Sequence, residues 1–313
     1  MKKHNIYHNG AVGLAFAKST SLPTLRAAYS DRTAALMAAL CQDAYIPFEQ
    51  LTKRRKRGVA LKMIPQGEAQ LTEELAKGGF TLAKLFNVDD VQAYLALRSD
   101  IAVLAFRGTV TFRDWCTDLN EGLVTLPDYK GLRIHGGFWK AFQTAHQDIE
   151  ATVNAQVPPN VPLYITGHSM GGALAQITAM VLERDNLAAC YTFGSPRVAT
   201  VNFDRDVKCP HYRVIDGWDL VPGVPPPFGR YRHSGDPRLL APKTHPQEAL
   251  RRDRLVLASF WVNLWAMLVS VISRRLSIID DHMIWNYRRQ LDPIARARNG
   301  GHGGVTPPGS GAG

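Results

Sequence analysis

The chain is poor in cysteine, with four in 313 residues, at positions 41, 116, 190 and 209. None belongs to a C-x-x-C pair, so a disulfide-stapled small fold and a cysteine-based zinc module are both excluded. Acidic residues are in deficit as well: 27 Asp and Glu face 37 Lys and Arg, a formal net charge of +10. Such a surface favours anionic partners without distinguishing lipid from nucleic acid or another polymer. No metal-ligand constellation and no phosphate-binding glycine loop occur, so no cofactor and no metal are expected. A nucleic-acid role is disfavoured too, because no recognition-helix motif or aromatic-interleaved basic sheet is found. No repeat of fixed period is visible. What remains is 45% hydrophobic and 20% charged, the composition of a globular domain with ample chain for one large core.

Long apolar runs are scarce. Near the start, Lys2 and Lys3 precede Ala11–Ala17, and Ala15-Phe16-Ala17 resembles a cleavage site. The run is short, contains Gly13 and follows polar residues, so residues 1–27 are expected to be loosely ordered rather than a signal peptide. A cytoplasmic or peripheral membrane location is favoured over secretion on that ground. Residues 299–313, rich in Gly and Pro, read as a flexible tail. The exception is Leu255 to Ser273, which holds no charge and lies between Arg251, Arg252, Arg254 and Arg274, Arg275. As a helix it would be about 28 Å long, close to the thickness of a bilayer core.

Between these ends, helices and strands alternate. Thr33 to Tyr45 reads as a helix stopped by Pro47, and Val59–Ile64 and Gln92–Arg98 as short strands. Lys53 to Arg57 is a run of five basic residues, read as a solvated loop. Ile101 to Phe106 is continuously apolar, as in a strand buried on both faces. Phe138–Val157 and Gly171–Glu183 read as helices, with a further one near Thr200–Val207; Val161–Thr166, Ala188–Phe193 and His211–Ile215 read as strands. The pattern predicts an α/β fold, a mainly parallel sheet with helices on both faces. Residues 28–298 form one domain in this reading, with residues 255–273 as an apolar helical insertion.

Gly167-His168-Ser169-Met170-Gly171 matches G-x-S-x-G. The pattern is weak alone, but an apolar strand enters it and a small-residue helix leaves it, the context the motif requires. Ser169 is then a candidate nucleophile, and the Met170 N–H, at a helix N-terminus, a candidate oxyanion donor. A serine hydroxyl needs a base and an orienting carboxylate, which follow in the order Ser, Asp, His. Asp216 and Asp219 compete in the loop after 211–215. Asp216, before Gly217, is the natural turn-former, and Asp219 is the one free to point back at a histidine. Among the later histidines, His302 lies in the tail, His245 in a Pro-rich loop and His233 in a strand-like stretch. His282, at the start of a helix-like stretch, is the best base. Thr109, after the apolar strand 101–106, supplies a second oxyanion donor.

Six ordered blocks now resemble the fungal-type (class 3) triacylglycerol lipases of the α/β-hydrolase superfamily. They are Phe-Arg-Gly-Thr at 106–109, His-Gly-Gly-Phe at 135–138, Gly-His-Ser-Met-Gly-Gly at 167–172, Phe-Gly-Ser-Pro-Arg-Val at 193–198, Asp219-Leu220-Val221-Pro222, and Asp281-His282-Met283-Ile284-Trp285. The likeness runs from about Ala28 to Leu291. It implies Ser169 as nucleophile, Asp219 as acid, His282 as base, and Thr109 with Met170 as the oxyanion hole. It also implies a short lid helix at 111–118, with Phe112 and Trp115 as its apolar residues. Two departures stand out. Trp285 replaces the family's usual Tyr, read as a packing change, and the long apolar segment lies between the acid and the base.

A single bilayer crossing by 255–273 would put Asp219 and His282 on opposite sides of a membrane, which a working triad forbids. The segment is therefore expected to wall an acyl pocket or to lie at an anionic lipid interface. The function expected is hydrolysis of lipid esters, with phospholipid, galactolipid and aryl esters left open as substrates. A non-catalytic lipid-binding protein on a hydrolase scaffold is the reading from another class.

Overall fold

The most apolar strand of the sequence, Ile101–Phe106, lies inside a seven-stranded sheet with all six residues buried. The computed structural model describes residues 14, 28–46, 49–54, 59–63, 65–108, 122–217, 219, 221–227, 230–240 and 282–300, the side chains of 49–54, 59–63 and 298–300 excepted. In chain order the elements are α1 (Asp31–Asp43), β1 (Glu49–Arg54), β2 (Val59–Met63), α2 (Pro65–Lys77), β3 (Thr81–Val88), β4 (Val91–Arg98) and β5 (Ile101–Phe106). There follow β6 (Leu123–Leu126), β7 (Leu132–His135), α3 (Gly136–Gln156), β8 (Leu163–His168), α4 (Met170–Val181), β9 (Leu187–Phe193), β10 (His211–Asp216), β11 (Asp236–Leu240) and α5 (Ile284–Gly300).

The sheet order is β11-β10-β9-β8-β5-β4-β3. Strands β5, β8, β9, β10 and β11 run parallel, and β4 and β3 add antiparallel at one edge. Side chains alternate across the pleat and so divide between two cores. Ala102, Leu104, Phe106, Leu163 and Ile165 join Phe138, Phe142 and Ile149 of α3 and Leu174 and Ile177 of α4. On the other face Ile101, Val103, Ala105 and Tyr164 meet Leu36, Met37 and Leu40 of α1 and Ile284, Tyr287 and Leu291 of α5. Because both faces are covered, the central strands read as unbroken apolar runs rather than alternating ones.

α1 is rich in Ala, Leu and Met, strong helix formers, and Thr33 through Cys41 are all buried. It packs against α5 and the sheet, which carries its C-terminus, and Tyr45 just beyond, to the carboxyl edge of β8. α3 begins at His135, whose Nδ1 accepts the Phe138 N–H at 3.4 Å as an N-cap. It ends before Pro158-Pro159, which cannot continue a helix.

Several expectations need correction. Thr200–Val207 holds a single 3-10 turn, Phe203–Arg205, because that stretch ties itself to neighbours: Thr200 N–H donates to Arg133 O and Ala199 bridges Ile134 and Arg232. The strand-like 230–233 contributes only that bridge, and the strand itself is β11, slightly downstream. Lys53 and Arg54, read as loop, are paired with Ala60 and Val59 in a hairpin. α5 continues through Pro293 to Gly300, two residues into the stretch read as tail. Leu14 is buried, within reach of Gly78 and Phe80, so this one residue of the N-terminal stretch is packed. The apolar segment 255–273, the lid stretch 111–118 and residues 301–313 lie outside the described residues. No helix among the described residues is long and apolar enough to cross a membrane.

Candidate active site

β8 ends at His168, and α4 starts at Met170, leaving Ser169 alone to make the turn. Its backbone sits at φ 57°, ψ −129°, a region in which a side chain is strained and which persists only where the surroundings enforce it. The enforcement is visible in the two motif glycines. A Cβ on Gly167 would lie 2.1 Å from the Gly171 carbonyl oxygen, and one on Gly171 would lie 2.5 Å from that of Phe106. Strand and helix therefore cross at a spacing only glycine allows. Ser169 N–H donates to Phe193 O of β9 at 2.9 Å, which pins the turn to the neighbouring strand.

The loop leaving β5 runs against this turn. A Cβ on Gly108 would meet the Tyr45 hydroxyl at 2.3 Å, His168 O at 2.7 Å and Ser169 Cβ at 2.9 Å. Thr109 follows directly in sequence but lies outside the described residues, as do Phe112 and Trp115. Met170 opens α4, where the first amide hydrogens of a helix point to acceptors outside it. In this position its N–H can serve an anionic oxygen near Ser169.

The aspartate–histidine half is assembled two strands along the same carboxyl edge, beyond β10. Asp219 follows β10, and its side chain is closed to solvent. Oδ1 accepts the Val221 N–H at 2.8 Å, while Oδ2 accepts from His282 Nδ1 at 2.8 Å and from the Tyr287 hydroxyl at 2.5 Å. The Tyr287 oxygen in turn accepts the Asp216 N–H at 3.2 Å. Burial pushes the Tyr287 phenol well above its ordinary pKa, so it remains a donor. Gly194, at φ +54°, makes room for this cluster: a Cβ there would lie 2.5 Å from Asp219 Oδ2 and 3.1 Å from His282 Cε1. The loop past Asp219 is held by the Arg197 guanidinium, which donates to the carbonyls of Gly223 and Pro225.

Asp219 and His282 are thus brought together, at the edge where Ser169 turns. Asp216, the competing carboxylate, instead accepts Gln290 Nε2 at 2.6 Å. His233 is enclosed beside Arg213 and Arg197, and burial holds it well below its ordinary pKa. His211 is depressed to about 3, first by burial and then by Arg213, and its ring joins Thr192 and Ser234. His245 and His302 are outside the described residues. No group of three or more potential metal ligands occurs among the described residues.

Two residues of the site escaped sequence reasoning. Tyr287, which the sequence did not single out, is the side chain that reaches Asp219. The signal was the helical spacing of Ile284, Tyr287 and Leu291, all buried, which turns 287 rather than 285 inward. Tyr45 was read only as the end of a helix, and its hydroxyl lies 2.7 Å from His168 Nδ1.

A parallel sheet with a strained serine between strand and helix, and a histidine–aspartate pair beyond a later strand, defines an α/β-hydrolase. The lipase (class 3) family model matches residues 103–229, and over that stretch the chain resembles fungal lipases. Among relatives, the secreted mono- and diacylglycerol lipase 1 of Fusarium solani is 37% identical over 153 residues, 46% of this chain and 46% of its own. The lipase of Rhizomucor miehei is 32% identical over 144 residues, 42% of this chain and 40% of its own. The chain spans less than half the length of these curated relatives. Of solved structures, the Rhizomucor miehei lipase propeptide complex is 25% identical with a TM-score of 0.53, over 70% of this chain and 72% of that one. A triacylglycerol lipase whose catalytic centre is a serine protease triad is 28% identical with a TM-score of 0.50, over 54% and 69%.

Proposed function

We propose that this protein is a serine carboxylic-ester hydrolase acting on lipid esters, with Ser169 as nucleophile, His282 as base and Asp219 as acid. The observation that carries the reading is the Asp219 Oδ2 to His282 Nδ1 contact of 2.8 Å, at the same sheet edge as a serine in strained backbone. With its Nδ1–H committed to Asp219, a neutral His282 carries its lone pair on Nε2, the nitrogen that takes a proton. Ser169 Oγ attacks the ester carbonyl as His282 Nε2 accepts the hydroxyl proton. The tetrahedral oxyanion is held by the Met170 N–H and by Thr109. Collapse breaks the bond to the alcohol, which leaves with the proton from Nε2. Water, deprotonated by the same nitrogen, then releases the fatty acid and regenerates Ser169. One oxyanion donor is worth about 3 kcal/mol in such a reaction.

The relatives named as mono- and diacylglycerol lipase and as lipase support acyl glycerols as the substrate class. In this reading Phe112 and Trp115 belong to a lid that an apolar interface draws aside, and the excess positive charge favours an anionic surface. The relative from Fusarium solani is secreted by name, which weighs for export and against the cytoplasmic preference.

The decisive experiment is hydrolysis of p-nitrophenyl esters of graded chain length by the wild type and by Ser169→Ala. Activity in the wild type, lost in the variant along with covalent labelling by a fluorophosphonate, is the expected result. A wild type that neither hydrolyses nor labels would instead leave a lipid-binding protein. Comparing one ester below and above its aggregation threshold tests the lid, because equal rates on both would remove it.

A further inference from the structure

His168 separates the nucleophile from its strand and is almost wholly enclosed, yet the chemistry above gives it no task. Both of its ring nitrogens are engaged. Nε2 lies 2.6 Å from the backbone carbonyl oxygen of His282. A carbonyl only accepts, so the ring proton is on Nε2. Nδ1 then carries the lone pair and accepts the Tyr45 hydroxyl at 2.7 Å. The Tyr45 oxygen receives the Gly108 backbone N–H. One directed chain therefore runs from the loop beside Ser169, through a residue beyond α1, through the nucleophile's neighbour, to the backbone of the base. The His168 and His282 rings also stack, with centroids 4.6 Å apart at 31°. Of the four residues joined, Gly108 and His168 lie inside the matched stretch 103–229, and Tyr45 and His282 lie outside it.

We infer that His168 is a positioning residue: oriented by Tyr45, it clasps the His282 carbonyl and so holds the base ring on Asp219 and aligned with Ser169. The need for a clasp follows from chain geometry. His282 stands 63 residues after Asp219, which holds its ring at Nδ1 alone; Nε2 must stay free to take and give a proton, so a further hold comes through the backbone. Burial, aided by His282, keeps His168 well below its ordinary pKa. An uncharged neighbour does not oppose the imidazolium that forms on His282 during turnover.

The inference rests on the ester-hydrolase reading, and its test separates the two. Wild type, Tyr45→Phe, His168→Phe and His168→Gln are compared in p-nitrophenyl butyrate hydrolysis, fluorophosphonate labelling rate and thermal unfolding, with Ser169→Ala as blank. In His168→Phe, kcat and labelling are expected to fall about 100-fold with KM nearly unchanged, the effect of a base displaced by about 1 Å. His168→Gln, whose amide N–H can still donate to the His282 carbonyl, recovers part of that loss. Tyr45→Phe, which keeps the ring and removes only the hydroxyl, loses about fivefold, on the order of 1 kcal/mol for one hydrogen bond. Wild-type kcat in His168→Phe and Tyr45→Phe, or a loss confined to KM or to Tm, overturns the inference. Should His168→Phe not fold, Tyr45→Phe decides by the same criteria. A wild type no faster than Ser169→Ala overturns the hydrolase reading itself.

Discussion

The two halves of the site are held by different physics. Around Ser169 the geometry is made by backbone: two glycines, a strand and a helix in contact, and a main-chain bond to β9. Around Asp219 and His282 it is made by side chains that arrive from distant elements, Tyr287 from α5 on the acid and His168 from β8 on the base. The first half is rigid because backbone cannot yield, while the second depends on individual hydrogen bonds that a single substitution can remove one at a time. Changes in the first half should therefore appear in stability, and changes in the second in rate.

Four measurements test this contrast. The largest effect is expected at the acid. Asp219→Asn removes the acceptor that orients His282 and should lower kcat about 10⁴-fold, whereas Asp216→Asn, whose carboxylate accepts from Gln290 rather than from His282, should cost under about tenfold. Equal losses would mean that the two carboxylates share the role. Next, Gly171→Ala forces a Cβ to within 2.5 Å of the Phe106 carbonyl oxygen and 2.6 Å of that of Arg107. Overpacking against backbone that cannot move should cost about 3 kcal/mol in denaturant unfolding, and wild-type stability would show that the elbow yields after all.

The third concerns the floor beneath the acid–base half, where α1 meets α5. Asp43 has its Oδ2 shut from water without a hydrogen-bond partner, and burial raises its pKa to about 7, partly offset by Arg288. A carboxyl whose folded pKa lies above its unfolded one keeps its proton longer in the folded state. Stability is then greatest below about pH 4 for this group and falls as pH rises towards 7. Asp43→Asn should remove that fall, on the order of 2 kcal/mol between pH 5 and 7, measured as urea midpoints at both values. An unchanged pH slope would discard the assignment. The smallest effect is expected for Tyr287→Phe, which takes one of three donors from Asp219 and leaves the ring in place. A loss of about 1 kcal/mol in kcat/KM with little change in Tm fits side-chain positioning, and the reverse pattern would make Tyr287 a packing residue.

Sequence reasoning reached the near half more fully than the far one. The central strands were legible because strands buried on both faces are continuously apolar, and Gly167-x-Ser169-x-Gly171 lies within one strand and one helix. β3 and β11 were missed: they are the sheet's two edges, half-exposed and without a clean period. The short β6–β7 hairpin went unread for want of length. Asp219 and His282 were chosen by order along the chain and by elimination, but Tyr287 was not singled out, and its neighbour Trp285 was read as a packing change. Tyr45 could not be found at all, since no local pattern says that a phenol after α1 will meet the imidazole of residue 168.

The sequence by itself determined the sheet's interior, the strand–serine–helix turn and the ordered set of serine, aspartate and histidine. These follow from periodicity and from glycine, which act within a few residues of one another. Only the tertiary structure decided which tyrosine completes the shell of Asp219 and how His168 is used. Those choices depend on directions and distances of a few ångströms between side chains far apart in the chain, and a hydrogen bond exists only where donor and acceptor are delivered to each other by the fold.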